Sequence, residues 1–128
     1  MAKLRHIAIA VPDIQATARF YETSFGMQRV RESAVAVMLS DGVVSLAIID
    51  SIKNPNAENR AGLHHMGFLV DDLSASADRV EQNGGRYFSQ IKGIGEGPQT
   101  ERKYRDPNGI DFDIVNADHA QKVWRIPA

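Results

Sequence analysis

Two stretches of this chain are copies of one another, and that limits the folds open to it more than any other feature. HIAIAVPDIQATARFYETSFG (6–26) lies over HMGFLVDDLSASADRVEQNGG (65–85) without a gap, at a constant offset of 59. His, Val, Asp, Ala, Ala, Glu and Gly recur, 7 identities in 21 positions, where average residue usage gives about one or two by chance. Conservative pairs such as Ile9/Phe68, Ile14/Leu73 and Thr17/Ser76 fill the remainder. A duplicate of this length is one supersecondary unit, and two such units can bury each other's apolar faces.

Each copy reads alike from local physics. Residues 4–11 and 63–70 are apolar with β-branched and aromatic members, so each copy opens on a strand. Asp13 and Asp72 then stand as N-cap carboxylates for a first helical turn. Ile14, Ala18, Tyr21 and Phe25, and in the second copy Leu73, Ala77 and Val80, give each helix an apolar stripe. Gly26 and the pair Gly84-Gly85 end the helices. Three short strands follow each helix: Met27 to Arg31, Val35 to Leu39 and Val43 to Ile49, then Arg86 to Gln90, Thr100 to Tyr104 and Ile110 to Val115. The expected fold is α+β, the pattern βαβββ twice. Module one covers about 1–50, a polar linker about 51–61, module two about 62–116 and a tail 117–128, all within a single domain. The glycine-bearing IKGIGEGPQ (91–99) reads as a loop over a site, and the tail, with the chain's one Trp, as packing or a dimer contact.

Composition narrows the chemistry. Charges nearly cancel, 15 Lys+Arg against 16 Asp+Glu, so no positive field draws in nucleic acid or anionic lipid. The expected partner is a small molecule. Without cysteine there is no disulfide framework, no thiolate zinc site and no cysteine nucleophile. No apolar run approaches a membrane span or a signal-peptide core, so a cytoplasmic protein is expected.

Strand parity then gathers a candidate metal site. Ile7, Ile9 and Val11 share the helix-facing side of the first strand, while His6, Ala8 and Ala10 share the other. Met66, Phe68 and Val70 oppose His65, Gly67 and Leu69 in the second copy. On the last strand Ile110, Phe112 and Ile114 oppose Asp111, Asp113 and Val115. A lone His in a strand is more often structural than ligating. Two at equivalent repeat positions, with a carboxylate on the matching face, point instead to a divalent metal held by His6, His65 and Asp113. Small neighbours at Ala8, Ala10 and Gly67 leave room for a concave cavity. His64 has the wrong parity, and Asp106 in DPNG reads as a turn residue.

The motifs HIAIAVPDI with FYETSFGM, GLHHMGFLVDDL and YRDPNGIDFDIV resemble the vicinal oxygen chelate superfamily, which includes glyoxalase I, methylmalonyl-CoA epimerase, extradiol dioxygenases and the bleomycin and fosfomycin resistance proteins. The resemblance implies a U-shaped mixed sheet around a cavity, with metal ligands on the first and last strands of the modules. The matching positions are His6, His65 and Asp113, Asp113 standing where the family usually has Glu. The fourth ligand of glyoxalase I and the epimerase falls at Ala47, with Ser45 and Ile49 beside it, so no fourth carboxylate is expected. Two His and one carboxylate suit Fe(II) or Mn(II), with Ni(II), Zn(II) or Co(II) also possible.

The implied function is a metal-dependent enzyme acting on a small substrate with vicinal oxygens, a dioxygenase-like oxidoreductase first. The alternatives are a glyoxalase I-like or epimerase-like lyase/isomerase and a non-catalytic drug- or metabolite-binding protein of the bleomycin-resistance type. Tyr104 is the catalytic candidate, a phenol able to hydrogen-bond the substrate. A homodimer is the expected assembly, with the site formed within one chain or across two.

Overall fold

The structure is a computed structural model that describes residues 1–89 and 100–128. Strand β1 (Lys3–Val11) leads into helix α1 (Ile14–Phe25), then β2 (Gln28–Glu32), β3 (Ala36–Ser40) and β4 (Ser45–Asp50). After a 3-10 turn at Pro55–Ala57, β5 (Gly62–Leu69), α2 (Leu73–Gln82), β6 (Arg86–Ser89), β7 (Glu101–Arg105) and β8 (Asp111–Val115) repeat the order. The tail forms a short helix, α3 (Ala117–His119), and a π-helical turn, Ala120–Trp124. The βαβββ pattern therefore holds in both halves, with strand ends displaced by one or two residues from those the sequence suggests. The expected site loop at 91–99 lies outside the described residues, as does Gln90.

The caps form as their chemistry requires. Asp13 accepts from the Ala16 amide and Asp72 from the Ala75 amide, each at 3.0 Å, which satisfies one free donor at each helix start. Gly26 ends α1 in the left-handed region at φ 68°, where a Cβ would be penalised. Ile14 and Ala18 are buried against Val37, Leu39 and Ile48. Phe25, expected on that stripe, is 71% exposed, because it is the last helical residue and overruns the sheet.

Among the described residues, eight strands join one open mixed sheet in the order β2-β3-β4-β1-β5-β8-β7-β6. β1 and β5 pair antiparallel at the centre, and each is flanked by the parallel last strand of its own module, β4 and β8. The two modules are thus related by a pseudo-two-fold between β1 and β5. The register makes the relation exact enough to use: Ala8 pairs with Ala47 as Gly67 pairs with Asp113. Since residue 8 corresponds to residue 67 by the repeat, Ala47 is the counterpart of Asp113. By the same logic Met38, opposite Ala47, is the counterpart of Lys103, opposite Asp113.

The helices cover one face, over Val70, Leu73, Ala77, Phe112 and Ile114 in module two. The other face carries a core of small residues, Ala8, Ala10, Ala36, Ala47 and Ile49. Side chains from β1, β3, β4, β5 and β7 line one cavity on that side, so the sheet bends round it. Two strand-parity expectations need correction. Ile7 is 37% and Ile110 53% exposed, because neither reaches under a helix, Ile110 lying before β8 begins. No helix is long and apolar enough to cross a membrane among the described residues.

Candidate metal centre

His6, His65 and Asp113 of the one chain converge: each offers a ligand atom, and these atoms lie within 4.8 Å of one another. The geometry follows from the register. His6 sits opposite Gly67, and Gly67 in turn opposite Asp113, while His65 sits opposite Ala8. The three side chains therefore project from adjacent positions across three neighbouring strands. His6 and Asp113 are 3% and 0% exposed. Among the described residues this is the only cluster of three or more metal-ligating side chains.

Each imidazole is oriented by a second contact. His6 Nδ1 lies 2.9 Å from Ser45 Oγ, which leaves Nε2 for the cavity. Ser45 thus serves this site without being a ligand. His65 Nδ1 lies 2.7 Å from His64 Nδ1, an arrangement in which His65 donates when its Nε2 ligates. His64 is there because of a bulge: Ala8 pairs with His65 but Ile9 with Leu63, so His64 is the extra residue and escapes simple parity. Burial, aided by the neighbouring His65 charge, brings His64 down to about 4. Burial likewise holds His6 at about 3, again with His65 contributing. Both are uncharged at neutral pH, the form in which an imidazole binds a metal.

Asp113 stands between Lys103 and His65. Lys103 Nζ donates to its Oδ1 at 2.9 Å, and His65 Nε2 lies 3.1 Å from its Oδ2. Burial alone would raise this carboxyl; the His65 and Lys103 contacts override it and hold Asp113 below the ordinary carboxylate range. The His65 contact is close but not aligned as a hydrogen bond, and Oδ2 is left buried without a hydrogen-bond partner. An orphaned buried carboxylate oxygen beside the imidazoles of His6 and His65 is what a bound cation would satisfy. The N,N,O donor set fits a divalent ion of the first transition row. Asp111, on the same face, is held instead by Arg60 at 3.2 Å and Arg105 at 3.1 Å.

The candidate phenol is elsewhere. Tyr104 is 1% exposed within the helix-side core, where its hydroxyl donates to Glu81 Oε2 on α2 at 3.2 Å. In β7 the cavity-facing residues are Glu101 and Lys103, so period-2 alternation sends Tyr104 through to the opposite face. Tyr104→Phe is accordingly expected to leave metal binding and turnover unchanged and to cost about 1 kcal/mol or less of stability, read by metal titration and urea denaturation.

Four residues that the sequence did not single out line the cavity: Glu101, Lys103, His119 and Trp124. Glu101 and His119 form a buried pair, 1% exposed each, with Oε2 and Nε2 3.6 Å apart and neither atom in a hydrogen bond. Burial, then the nearby Asp113 charge, pushes Glu101 up to about 9, and burial brings His119 down to about 4. Trp124, 2% exposed, stacks on His6 with ring centres 4.5 Å apart and planes 3° from parallel. It can lie there because of Gly67: a Cβ on that residue would meet the indole at 2.8 Å. The room that Ala8 and Gly67 leave beside the imidazoles is thus filled by the chain's own tail. The sequence signal was the Glu101-x-Lys103 alternation, which places two charges on the face of Asp113; nothing local marked the tail as part of the site.

Similarity to known proteins agrees with this picture. The glyoxalase/bleomycin resistance protein/dioxygenase superfamily model matches residues 3–114. The chain is 29% identical over 115 residues to an ethylmalonyl-CoA/methylmalonyl-CoA epimerase of Cereibacter sphaeroides, covering 75% of this chain and 78% of that protein. It is 23% identical over 130 residues to a lactoylglutathione lyase of Salmonella typhimurium, covering 92% and 95%. Among solved structures, a methylmalonyl-CoA epimerase in complex with methylmalonyl-CoA and ammonium superimposes with a TM-score of 0.65 at 24% identity, over 91% of this chain and 94% of that one. A hypothetical protein from Bacillus halodurans C-125 gives 0.70 at 20% identity, over 90% and 94%. With a family model spanning residues 3–114 and the same fold in its structural neighbours, the chain belongs to the glyoxalase/bleomycin resistance protein/dioxygenase superfamily.

Proposed function

We propose that this protein is a metal-dependent isomerase or lyase that moves a proton at a carbon beside a carbonyl of a small substrate, with His6, His65 and Asp113 as the metal ligands. The observation that carries the reading is the Glu101–His119 pair, two buried groups with unpartnered polar atoms in the cavity that His6 and His65 line. The sequence argued against proton transfer because position 47 holds Ala where related enzymes have a carboxylate. Glu101, reaching in from β7, supplies a carboxyl from another strand.

A divalent ion bound here would polarise the substrate carbonyl and stabilise charge developing on its oxygen. The protein's own groups handle the proton. Environments that drive two titratable groups apart mark an acid and a base. Burial favours the protonated form of Glu101 and the uncharged form of His119, so the carboxyl would donate and Nε2 would accept. The two atoms stand 3.6 Å apart without a hydrogen bond, so each would exchange its proton with the substrate and not with the other. On the other side Ala47 and Met38 offer only apolar wall, so the proton-handling groups come from β7 and the tail.

Names of relatives support the same class, one an epimerase and one a lyase. The three-ligand set keeps oxygenase chemistry as a second reading, since two His and one carboxylate leave positions open on iron. The discriminating experiment is solvent deuterium exchange followed by NMR, with hemithioacetals and branched acyl-CoA thioesters offered to protein loaded with Fe(II), Mn(II), Co(II), Ni(II) or Zn(II). Deuterium is expected at the substrate carbon, and Glu101→Gln or His119→Ala should abolish it while metal stays bound. Oxygen uptake on catechols with no exchange on any substrate would select the second reading instead.

A further inference from the structure

The cavity that His6 and His65 line has a volume of only about 60 Å³, space for a few waters and not for a metabolite. Beside it, toward the edge of module one, lies a second cavity of about 380 Å³, within the size range of small-molecule sites. The two share Ala36, Met38, Asn54, Asn56 and Val123 as walls. What divides them is therefore a strand side chain, Met38, and the C-terminal turn that carries Val123 and Trp124.

Arg31 on β2 lines the larger cavity. Its guanidinium makes one long bond, 3.4 Å to the Val123 carbonyl, and has no carboxylate in ion-pair range among the described residues. Its neighbour Glu32 is already engaged by Arg29 at 2.9 Å. Val123, whose carbonyl Arg31 bonds, is a wall of both cavities. Glu32, Ser33, Asn54 and Asn56 share this lining, and with the Glu32 carboxylate turned to Arg29 the Arg31 guanidinium is the group there fitted to receive a carboxylate.

We propose that the substrate site is the union of the two cavities, joined when the Val123–Trp124 turn withdraws, and that Arg31 anchors an anionic group at the end of the substrate distant from the metal. This rests on the metal-centre reading and adds to it a substrate class: a small carboxylate-bearing molecule that presents vicinal oxygens to the metal. The tail's polar link to β2, the Arg31 bond to the Val123 carbonyl, is the one an incoming anion would replace, and the packing of Trp124 on His6, Leu69 and Val115 is what withdrawal gives up.

The test uses Co(II)-loaded full-length protein and two hydroxamates, acetohydroxamate and succinate monohydroxamate, which present the same vicinal oxygens and differ in a terminal carboxylate. Calorimetry should show the carboxylated probe binding about tenfold or more tightly. Arg31→Ala should bring both to the affinity of acetohydroxamate with Co(II) binding unchanged, and Arg31→Lys should recover part of the difference. Acrylamide quenching of the single Trp should rise several-fold when the carboxylated probe binds. Equal affinities in the wild type, a preference that survives Arg31→Ala, or a Trp124 still shielded with the probe bound would each overturn the proposal while leaving the metal centre standing. Failure of Co(II) to bind at all would overturn the metal reading and this inference with it.

Discussion

Asp113→Ala is expected to be the most damaging single substitution in the molecule. It removes a metal ligand and leaves the Lys103 ammonium, 4% exposed and 2.9 Å from that carboxylate, buried without a counter-charge. Breaking a buried pair from one side costs about 3–5 kcal/mol, to be read as a lowered urea midpoint. The loss should be repaired, in part or whole, by replacing both partners with apolar groups. The double variant Lys103→Met, Asp113→Leu is therefore expected to regain most of the stability without regaining metal, reproducing on module two the apolar Met38–Ala47 pairing of module one. If Asp113→Ala is as stable as the wild type, the pair is not the buried electrostatic unit described above.

Trp124→Ala should have the second largest effect. The indole is almost wholly buried, against Leu69, Val115, Ala120 and Ile126 as well as His6, and truncating such a side chain costs about 3–5 kcal/mol. The contact with Gly67 gives a sharper form of the prediction. Gly67→Ala alone forces a Cβ to within 2.8 Å of the indole and should cost about 1–3 kcal/mol by overpacking. With Ala at position 124 the space is free, so the two costs should fall well short of additive in a double-mutant cycle. Full additivity would mean that Trp124 does not lie over Gly67 in solution.

The fold was legible because its determinants are local and duplicated. Asp13 and Asp72 cap the helices where an acid before an apolar stripe must, and the repeat offset of 59 carries His6 onto His65 with no need of a structure. The placement of Asp113 followed from alternation in a short regular strand. Where alternation fails, so did the sequence argument: the bulge at His64 turns that residue onto the back of His65, something no period-2 pattern shows. Tyr104 was chosen for its chemistry as a phenol, without asking which face of β7 it occupies, and Lys103 and Glu101 hold the cavity side. The tail was opaque for a different reason. Its contacts with His6 and Gly67 are between residues more than fifty positions apart, and nothing in ADHAQKVWRIPA records them.

The central claim is that one divalent ion is held jointly by the two modules of a single chain. The most direct test is an anaerobic titration of the wild-type protein, His6→Ala and His65→Ala with Fe(II) and Mn(II), followed by metal analysis per chain and repeated with Co(II), Ni(II) and Zn(II). One ion per wild-type chain is predicted, with affinity lowered at least about 100-fold in each variant, since the ligands come from different modules and neither suffices alone. A wild-type protein that takes up none of the five metals, or a His6→Ala variant that binds as tightly as the wild type, would contradict it.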